Sequence, residues 1–478
     1  MKTISLKKAA VINAVSQYSN IILYIGFNIV LARLLTPEEF GIFAVVSIFT
    51  TFFSKIYDGG LGSAIIQRKD LHKQDINSLY SFIHYIAVIL FLVFLLLGIP
   101  ISILYKNPEY ILICAILAVS ILFNTFNVVP YSYLLKEKQF YKIAFLNITS
   151  YFISYVSAVF LALLGLKYYA LAFQTVFLSI IKFCLSKKMS GISSAKKMDF
   201  RLIKSIIPFT LYELGSSLIN YWEQNLDNIL ISLIMGSTPL GFYSKSYTLT
   251  KYPVTAVSGA VTPVLHPILS DYQKNKIVMH KKYTQFLLCV STAAVFVAAI
   301  CFCAAKEIIL ILYGIQWINC IQSFTYLSLC IFPLFMMSGN MSVYKSLGRT
   351  DLLFRVVILN TCITSFFIVI GILLGTIETV ALCVCIANWF NMIVTLYVLN
   401  KIGFGISLWG FWKLFISDIF MLFFIQVVCM MASYWLFPKM QILISFMIKI
   451  VIIGTIYLFY LLFSTRYRLI SSIFFSKK

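Results

Sequence analysis

The stretch LYSFIHYIAVILFLVFLLLGIPISIL, residues 79–104, decides the fold class of this chain. It contains no Asp, Glu, Lys or Arg, and its apolar residues do not alternate with polar ones. A run of about 20 apolar residues is long enough to cross a bilayer as a helix, whereas a membrane-spanning strand alternates. Because lipid offers no partner to backbone N–H and C=O groups, such a run must pair them internally. The stretch therefore predicts a transmembrane helix.

Similar runs recur along the whole chain. Of its 478 residues, 61% are hydrophobic and only 11% are charged, against about 25% charged in a typical soluble domain. The sequence therefore predicts an all-α polytopic membrane protein with fourteen transmembrane helices. The predicted helices cover approximately residues 9–34, 39–66, 79–104, 110–135, 143–165, 168–186, 205–235, 239–268, 283–305, 320–345, 355–375, 377–400, 413–436 and 440–464. The first run follows Lys2, Lys7 and Lys8, and we interpret it as an uncleaved span.

The distribution of basic residues predicts the orientation of the chain. Its net charge is +22, but Lys and Arg lie in short loops between apolar runs, which excludes the basic aromatic face of a nucleic-acid-binding protein. Alternate loops hold most of the basic residues. The remaining loops contain only Lys106, Lys167, Lys306 and Lys439. Since cytoplasmic loops carry the excess of Lys and Arg, both termini are expected in the cytoplasm.

An internal repeat predicts two related bundles. When the chain is shifted by about 200 residues, Asn20 aligns with Asn220, Asn28 with Asn228, and Gly41 with Gly241. Each copy holds an even number of helices, which predicts a pseudo-two-fold axis along the membrane normal. The expected domains are a six-helix lobe (1–186), a cytoplasmic linker (187–204), a second six-helix lobe (205–400), and two further helices with a cytoplasmic tail (401–478).

Three segments resemble a known family. LARLLTPEEFGIFAVV (31–46) and DGGLGSAIIQRKDL (58–71) resemble the opening of bacterial polysaccharide or O-antigen flippases, and NLDNILISLIMGSTPLGFYSKSYTL (225–249) resembles the start of their second half. These Wzx-type proteins belong to the multidrug/oligosaccharidyl-lipid/polysaccharide superfamily. The resemblance implies an inner-membrane protein with two lobes around a cavity. It also implies flipping of an undecaprenyl-pyrophosphate-linked oligosaccharide by alternating access, with glycosyltransferases and a polysaccharide polymerase as partners beside membrane lipid.

Polar residues inside the predicted helices are the candidate substrate and ion sites. A charge in the bilayer core costs at least about 2.5–3.5 kcal/mol, so such residues usually face a cavity or a partner. The alternative is that the amides only hold helices together. The predicted substrate-binding residues are Asn13, Asn20, Asn28, Asn220, Asn228, Lys245 and Lys251. Gln17 and Tyr24 share a face with the first two, and Gln224 shares one with Asn220.

The predicted ion-coupling residues are Glu213, Glu223 and Asp227. Lys245 and Lys251 are expected to meet the pyrophosphate. Alternatively they neutralise the acids, or Lys245 reaches the outer interface. The sequence shows no metal-ligand spacing and predicts no cofactor. Two other functions remain open: a cation-coupled multidrug antiporter with twelve helices, and a membrane glycosyltransferase, polymerase or ligase. The enzyme needs a large outer loop, which the sequence does not contain.

Overall fold

The computed structural model describes residues 6–68, 70–195, 198–273, 275–406, 408–436 and 440–463. These residues form helices joined by short connections, with no strand among them. The α-helices are α1 (Leu6–Leu34), α2 (Pro37–Asp58), α3 (Leu61–Gln67), α4 (Lys73–Leu104), α5 (Glu109–Lys136), α6 (Phe140–Leu163), α7 (Tyr169–Ser190), α8 (Phe200–Ile234), α9 (Ser237–Ser270), α10 (Lys276–Cys303), α11 (Ala305–Leu312), α12 (Cys320–Ser328), α13 (Ile331–Met337), α14 (Asn340–Ser346), α15 (Thr350–Leu373), α16 (Ile377–Tyr397), α17 (Leu408–Leu436) and α18 (Ile442–Phe463). A 3₁₀ turn (Ile315–Trp317) and a π-helical turn (Val398–Phe404) complete them.

The all-α membrane fold is confirmed, and the helix count agrees roughly with the predicted fourteen. Helices occupy every predicted span. Within the described ranges, twelve are long and apolar enough to cross a membrane, or thirteen if the bent pair Cys320–Ser328 and Ile331–Ser346 is one span. The fourteenth predicted span corresponds to α9, which is helical but is not among those thirteen.

The chain divides into two compact units, Met1–Gly241 and Phe242–Lys478. In the first unit, α5 packs against α4 and α7, α6 packs against α7 and α1, and α8 packs against α2. In the second unit, α10 packs against α13, α17 and α18, and α15 packs against α16. The predicted lobe boundaries were derived from the sequence repeat. A division of the chain by packing does not test that repeat, so the boundaries stay a prediction.

Helix α4 shows how the apolar composition is distributed in three dimensions. Ile83, Ala87 and Phe94 are buried against neighbouring helices, whereas Leu92 and Leu96 of the same helix are exposed. In water such an exposed apolar face would favour aggregation. In a bilayer it meets lipid chains that are equally apolar, and the backbone is already paired inside the helix.

The break between α2 and α3 positions part of the candidate site. Gly60 has φ +84°, a left-handed conformation that glycine adopts without steric cost. A Cβ atom placed on Gly60 would lie 2.9 Å from Cβ of Glu213, on α8. Glycine therefore both ends the long helix here and lets α8 pass close to the turn.

A second close approach involves the two glycines that the repeat aligned. A Cβ atom on Gly41, in α2, would lie 1.9 Å from the carbonyl oxygen of Ser237, and one on Gly241 would lie 2.2 Å from that of Pro37. The openings of α2 and α9 thus touch through their backbones. On the α2 side the turn is held by a capping box between Thr36 and Glu39, in which each side chain binds the other's backbone N–H.

Candidate substrate and ion-binding site

Helix α8 carries the densest set of predicted polar site residues, and it is held at its first turn and again near its middle. Its first turn is capped by Asp199, whose Oδ1 accepts hydrogen bonds from the backbone N–H groups of Arg201 and Leu202. Further along, the hydroxyl of buried Tyr221 donates to the carbonyl of Ile48 on α2 at 2.8 Å. The polar side chains of α8 are therefore presented from a helix whose rotation is set by packing.

Asp227 is the most deeply placed acid of this helix. It is buried, and its Oδ1 accepts a hydrogen bond from the backbone N–H of Asn228 at 2.8 Å. Glu223, half-buried, lies one turn earlier on the same helix. A turn of α-helix rises about 5.4 Å, so the two predicted ion-coupling acids remain neighbours.

The amides of α8 differ in their surroundings. Asn220 and Gln224 are exposed, whereas Asn228 is half-buried. The side chain of Asn225 turns back and donates to the carbonyl of Tyr221 at 3.0 Å. The predicted stripe Asn220, Gln224 and Asp227 thus runs from an exposed end to a buried one.

Glu213 lies apart from the other acids, at the break between α2 and α3. Its Oε1 accepts a hydrogen bond from the hydroxyl of Ser63, on α3, at 2.8 Å. Oε2 would lie 3.0 Å from a Cβ atom on Gly60. The carboxylate is held by α3 and does not share a turn of helix with Asp227.

Helix α1 supplies the predicted amides Asn20 and Asn28, both of them half-buried. Oδ1 of Asn20 is buried without a hydrogen-bond partner within the described part of the chain. Gln17 is exposed, and the ring of Tyr24 lies 6.1 Å from that of Tyr155 on α6. The Asn13 side chain lies outside the described residues.

The two predicted lysines belong to the second unit and have different environments. Lys245 is 5% exposed, with its Nζ 5.3 Å from the ring centre of Tyr313 and 5.5 Å from that of Trp317. Lys251 is half-buried, and its Nζ lies 4.2 Å from the ring centre of Tyr247, one turn before it. Aromatic faces stabilise a cation in both places.

Two buried polar clusters in the second unit were missed at the sequence level. Lys449 on α18 forms an ion pair with Glu307 on α11, with 2.7 Å between Nζ and Oε1. Asp418 on α17 accepts hydrogen bonds from the hydroxyls of Ser291 and Tyr460. The available signal was Asp418, the single acid of the run 408–436, and Lys449, the single charge of the run 442–463.

Known proteins match this chain over most of its length. A profile of the family described as "Polysaccharide biosynthesis protein" matches residues 30–322. The succinoglycan biosynthesis transport protein ExoT of Rhizobium meliloti is 24% identical over 367 residues, covering 76% of this chain and 74% of ExoT. The lipopolysaccharide biosynthesis protein WzxC of Escherichia coli is 21% identical, and the alignment covers 85% of this chain and 82% of WzxC.

Solved structures agree on the fold. The lipid II flippase MurJ, in an inward closed conformation, is similar with a TM-score of 0.74 and 15% identity, over 96% of this chain and 98% of MurJ. An inward-facing multidrug resistance transporter of the MATE family is similar with a TM-score of 0.61 and 14% identity, over 84% of this chain and 98% of the transporter. The family profile covers more than half of the chain. The protein therefore belongs to the polysaccharide biosynthesis protein family, the polysaccharide flippases of the multidrug/oligosaccharidyl-lipid/polysaccharide superfamily that the sequence resemblance predicted.

Proposed function

We propose that this protein flips an undecaprenyl-pyrophosphate-linked oligosaccharide from the cytoplasmic to the outer leaflet of the bacterial inner membrane by alternating access, for surface polysaccharide synthesis. The observation that carries the proposal is the family match over residues 30–322, reinforced by relatives named for polysaccharide transport. It performs no covalent chemistry. Glycosyltransferases supply its cargo and a polymerase consumes it, and both termini lie in the cytoplasm.

Each unit carries polar residues whose chemistry suits this cargo. The amides Asn20, Asn28, Asn220 and Asn228 offer donors and acceptors to sugar hydroxyls. Lys251 offers a positive charge to the pyrophosphate. It suits this role better than Lys245, because Lys245 is 5% exposed between two aromatic rings whereas Lys251 is half-buried. Asp227 and Glu223, one turn apart, are the proposed site for a coupling ion.

A multidrug antiporter is the alternative function. The MATE fold covers 84% of this chain, against 96% for MurJ, and the relatives named for a pathway are all named for polysaccharides. Likeness of fold alone does not identify the cargo. The experiment must therefore distinguish accumulated lipid-linked sugar from altered drug resistance.

The test uses a strain that lacks the gene and carries it back as wild type or as a variant. Wild type is expected to restore surface polysaccharide and to clear undecaprenyl-linked oligosaccharide, measured by mass spectrometry. Lys251→Ala should reduce export about tenfold or more, since a hydrogen bond to a charged group is worth about 1.5–3 kcal/mol. Asp227→Asn should export slowly and no longer respond to an ionophore.

The matched control is Lys276→Ala, an exposed lysine at the start of α10, which should export as wild type does. Normal polysaccharide in the deletion strain, together with increased drug sensitivity, would favour the antiporter instead. Wild-type export by Lys251→Ala would remove this lysine from the proposed site and leave the function standing.

A further inference from the structure

An open groove lies beside the break between α2 and α3, entirely within the first unit. Its volume is about 530 Å³, and its lining residues are Ser63 and Gln67 of α3 with Phe209, Tyr212 and Glu213 of α8. The predicted ion-coupling role gives Glu213 no reason to sit beside exposed aromatic rings, away from Asp227. The groove therefore needs its own explanation.

The lining combines the side chains that bind a sugar ring. Tyr212 is 83% exposed and Phe209 is 40% exposed, so both side chains are accessible from the groove. Beside them stands the carboxylate of Glu213, whose orientation the hydrogen bond from Ser63 fixes. The apolar C–H face of a pyranose packs on an aromatic ring, while its hydroxyls donate to a carboxylate or an amide such as that of Gln67.

The charge of the groove argues against other ligands. None of its five lining residues is Lys or Arg, so the lining itself provides no cation for a pyrophosphate. The Glu213 carboxylate would repel the phosphate of a lipid headgroup. An aromatic residue at the membrane interface is common. That accounts for Tyr212 alone, but not for an acid fixed in the same groove.

The depth of the groove also fits a sugar. Helix α2 runs 22 residues from the turn at Thr36 to Asp58, which is about 33 Å at the usual rise per residue. The bilayer core is about 30 Å thick, so a helix that enters the core at Thr36 leaves it close to the groove. The same end of the unit carries Arg68 and Lys136, which belong to the basic connections predicted to be cytoplasmic.

We propose that this groove is a loading site, which holds one pyranose ring of the cargo at the cytoplasmic surface before translocation. The inference rests on the proposed function for its biological meaning. The binding chemistry itself, a sugar stacked on Tyr212 and hydrogen-bonded to Glu213, can be measured without transport.

The experiment is saturation-transfer NMR with the full-length protein in lipid nanodiscs. The probes are the methyl pyranosides of glucose, galactose, mannose and N-acetylglucosamine. Wild type is expected to transfer magnetisation to the ring protons of at least one probe. Tyr212→Ala and Glu213→Gln should each reduce that signal at least fivefold, while Tyr212→Phe retains it because the stacking face remains.

Two matched variants separate binding from folding. Trp222→Ala removes another exposed aromatic residue of α8, outside the groove, and should bind as wild type does. Ser63→Ala removes the hydrogen bond that orients Glu213 but leaves the carboxylate, and should reduce the signal by less than Glu213→Gln does. Absence of transfer to every probe in wild type overturns the proposal, as does an unchanged signal in Tyr212→Ala and Glu213→Gln. Export in the complemented strain reports separately on the proposed function.

Discussion

At the residue scale, the ion pair between Lys449 and Glu307 is a buried polar contact that joins three helices. The side chains are 8% and 6% exposed. Oε1 of Glu307 also accepts a hydrogen bond from Ser445, and Lys449 also donates to the carbonyl of Cys303, the last residue of α10. A cation is favourable at a helix C-terminus. The pair therefore ties α18 to both α10 and α11.

Removing one member of this pair should be costly. Lys449→Met leaves the Glu307 carboxylate buried without its cation, which is expected to cost about 3–5 kcal/mol. The double variant Lys449→Met, Glu307→Leu should recover most of that loss, because no charge is left uncompensated. Thermal unfolding of the purified protein in detergent measures both. Lys306→Met, an exposed neighbour of Glu307, is the control, and equal losses in it and in Lys449→Met would contradict the argument.

Single residues also mark the limit of what sequence can predict. Asp227 was predicted to be functional and is buried. The sequence could not show that Asp227 is buried whereas Gln224 is exposed, because both residues lie on the same predicted helix between apolar residues. Lys449 was visible as a lone charge in an apolar run, but its partner lies 142 residues away along the chain. Helical spacing predicts neighbours on one helix and says nothing about which helices meet.

At the element scale, the apolar runs predicted the helices well and their interruptions poorly. The predicted span 39–66 is two helices, and the span 320–345 is three. Gly60 and Gly339 begin new segments with φ +84° and +87°. A glycine in an apolar run is compatible with an unbroken helix. The break depends on neighbours such as Glu213, whose approach to Gly60 is a tertiary contact.

The crossing of α2 and α9 at their first turns should tolerate no side chain. Gly41→Ala would place a methyl group 1.9 Å from the carbonyl oxygen of Ser237, so the two backbones must separate. Overpacking of this kind costs about 1–3 kcal/mol, and the melting temperature in detergent should fall. Gly26→Ala, in α1, meets nothing within 4 Å and should be neutral or stabilising by about 0.5–1 kcal/mol. A Gly41→Ala protein as stable as wild type would show that the crossing is loose.

At the scale of the whole molecule, the membrane topology is predicted from one asymmetry, the placement of Lys and Arg in alternate loops. Lys106 and Lys138 follow the consecutive helices α4 and α5, and they are predicted to lie on opposite sides of the membrane. Both are exposed and both adopt a positive φ, 52° and 54°. They are therefore a matched pair of turn positions that differ in the side of the membrane predicted for them. A cysteine introduced at either position would therefore have the same local backbone conformation.

The orientation predicts opposite labelling of this pair. In a chain whose exposed Cys184 and Cys362 are replaced by serine, Lys106→Cys should react with a membrane-impermeant maleimide in intact spheroplasts. Lys138→Cys should react only after permeabilisation, because the cytoplasmic side carries the excess of basic residues. The parent chain without an added cysteine measures background labelling. The reverse pattern would place the basic loops outside. It would also move the groove at Tyr212 and Glu213 to the outer surface, where it would receive a sugar after translocation.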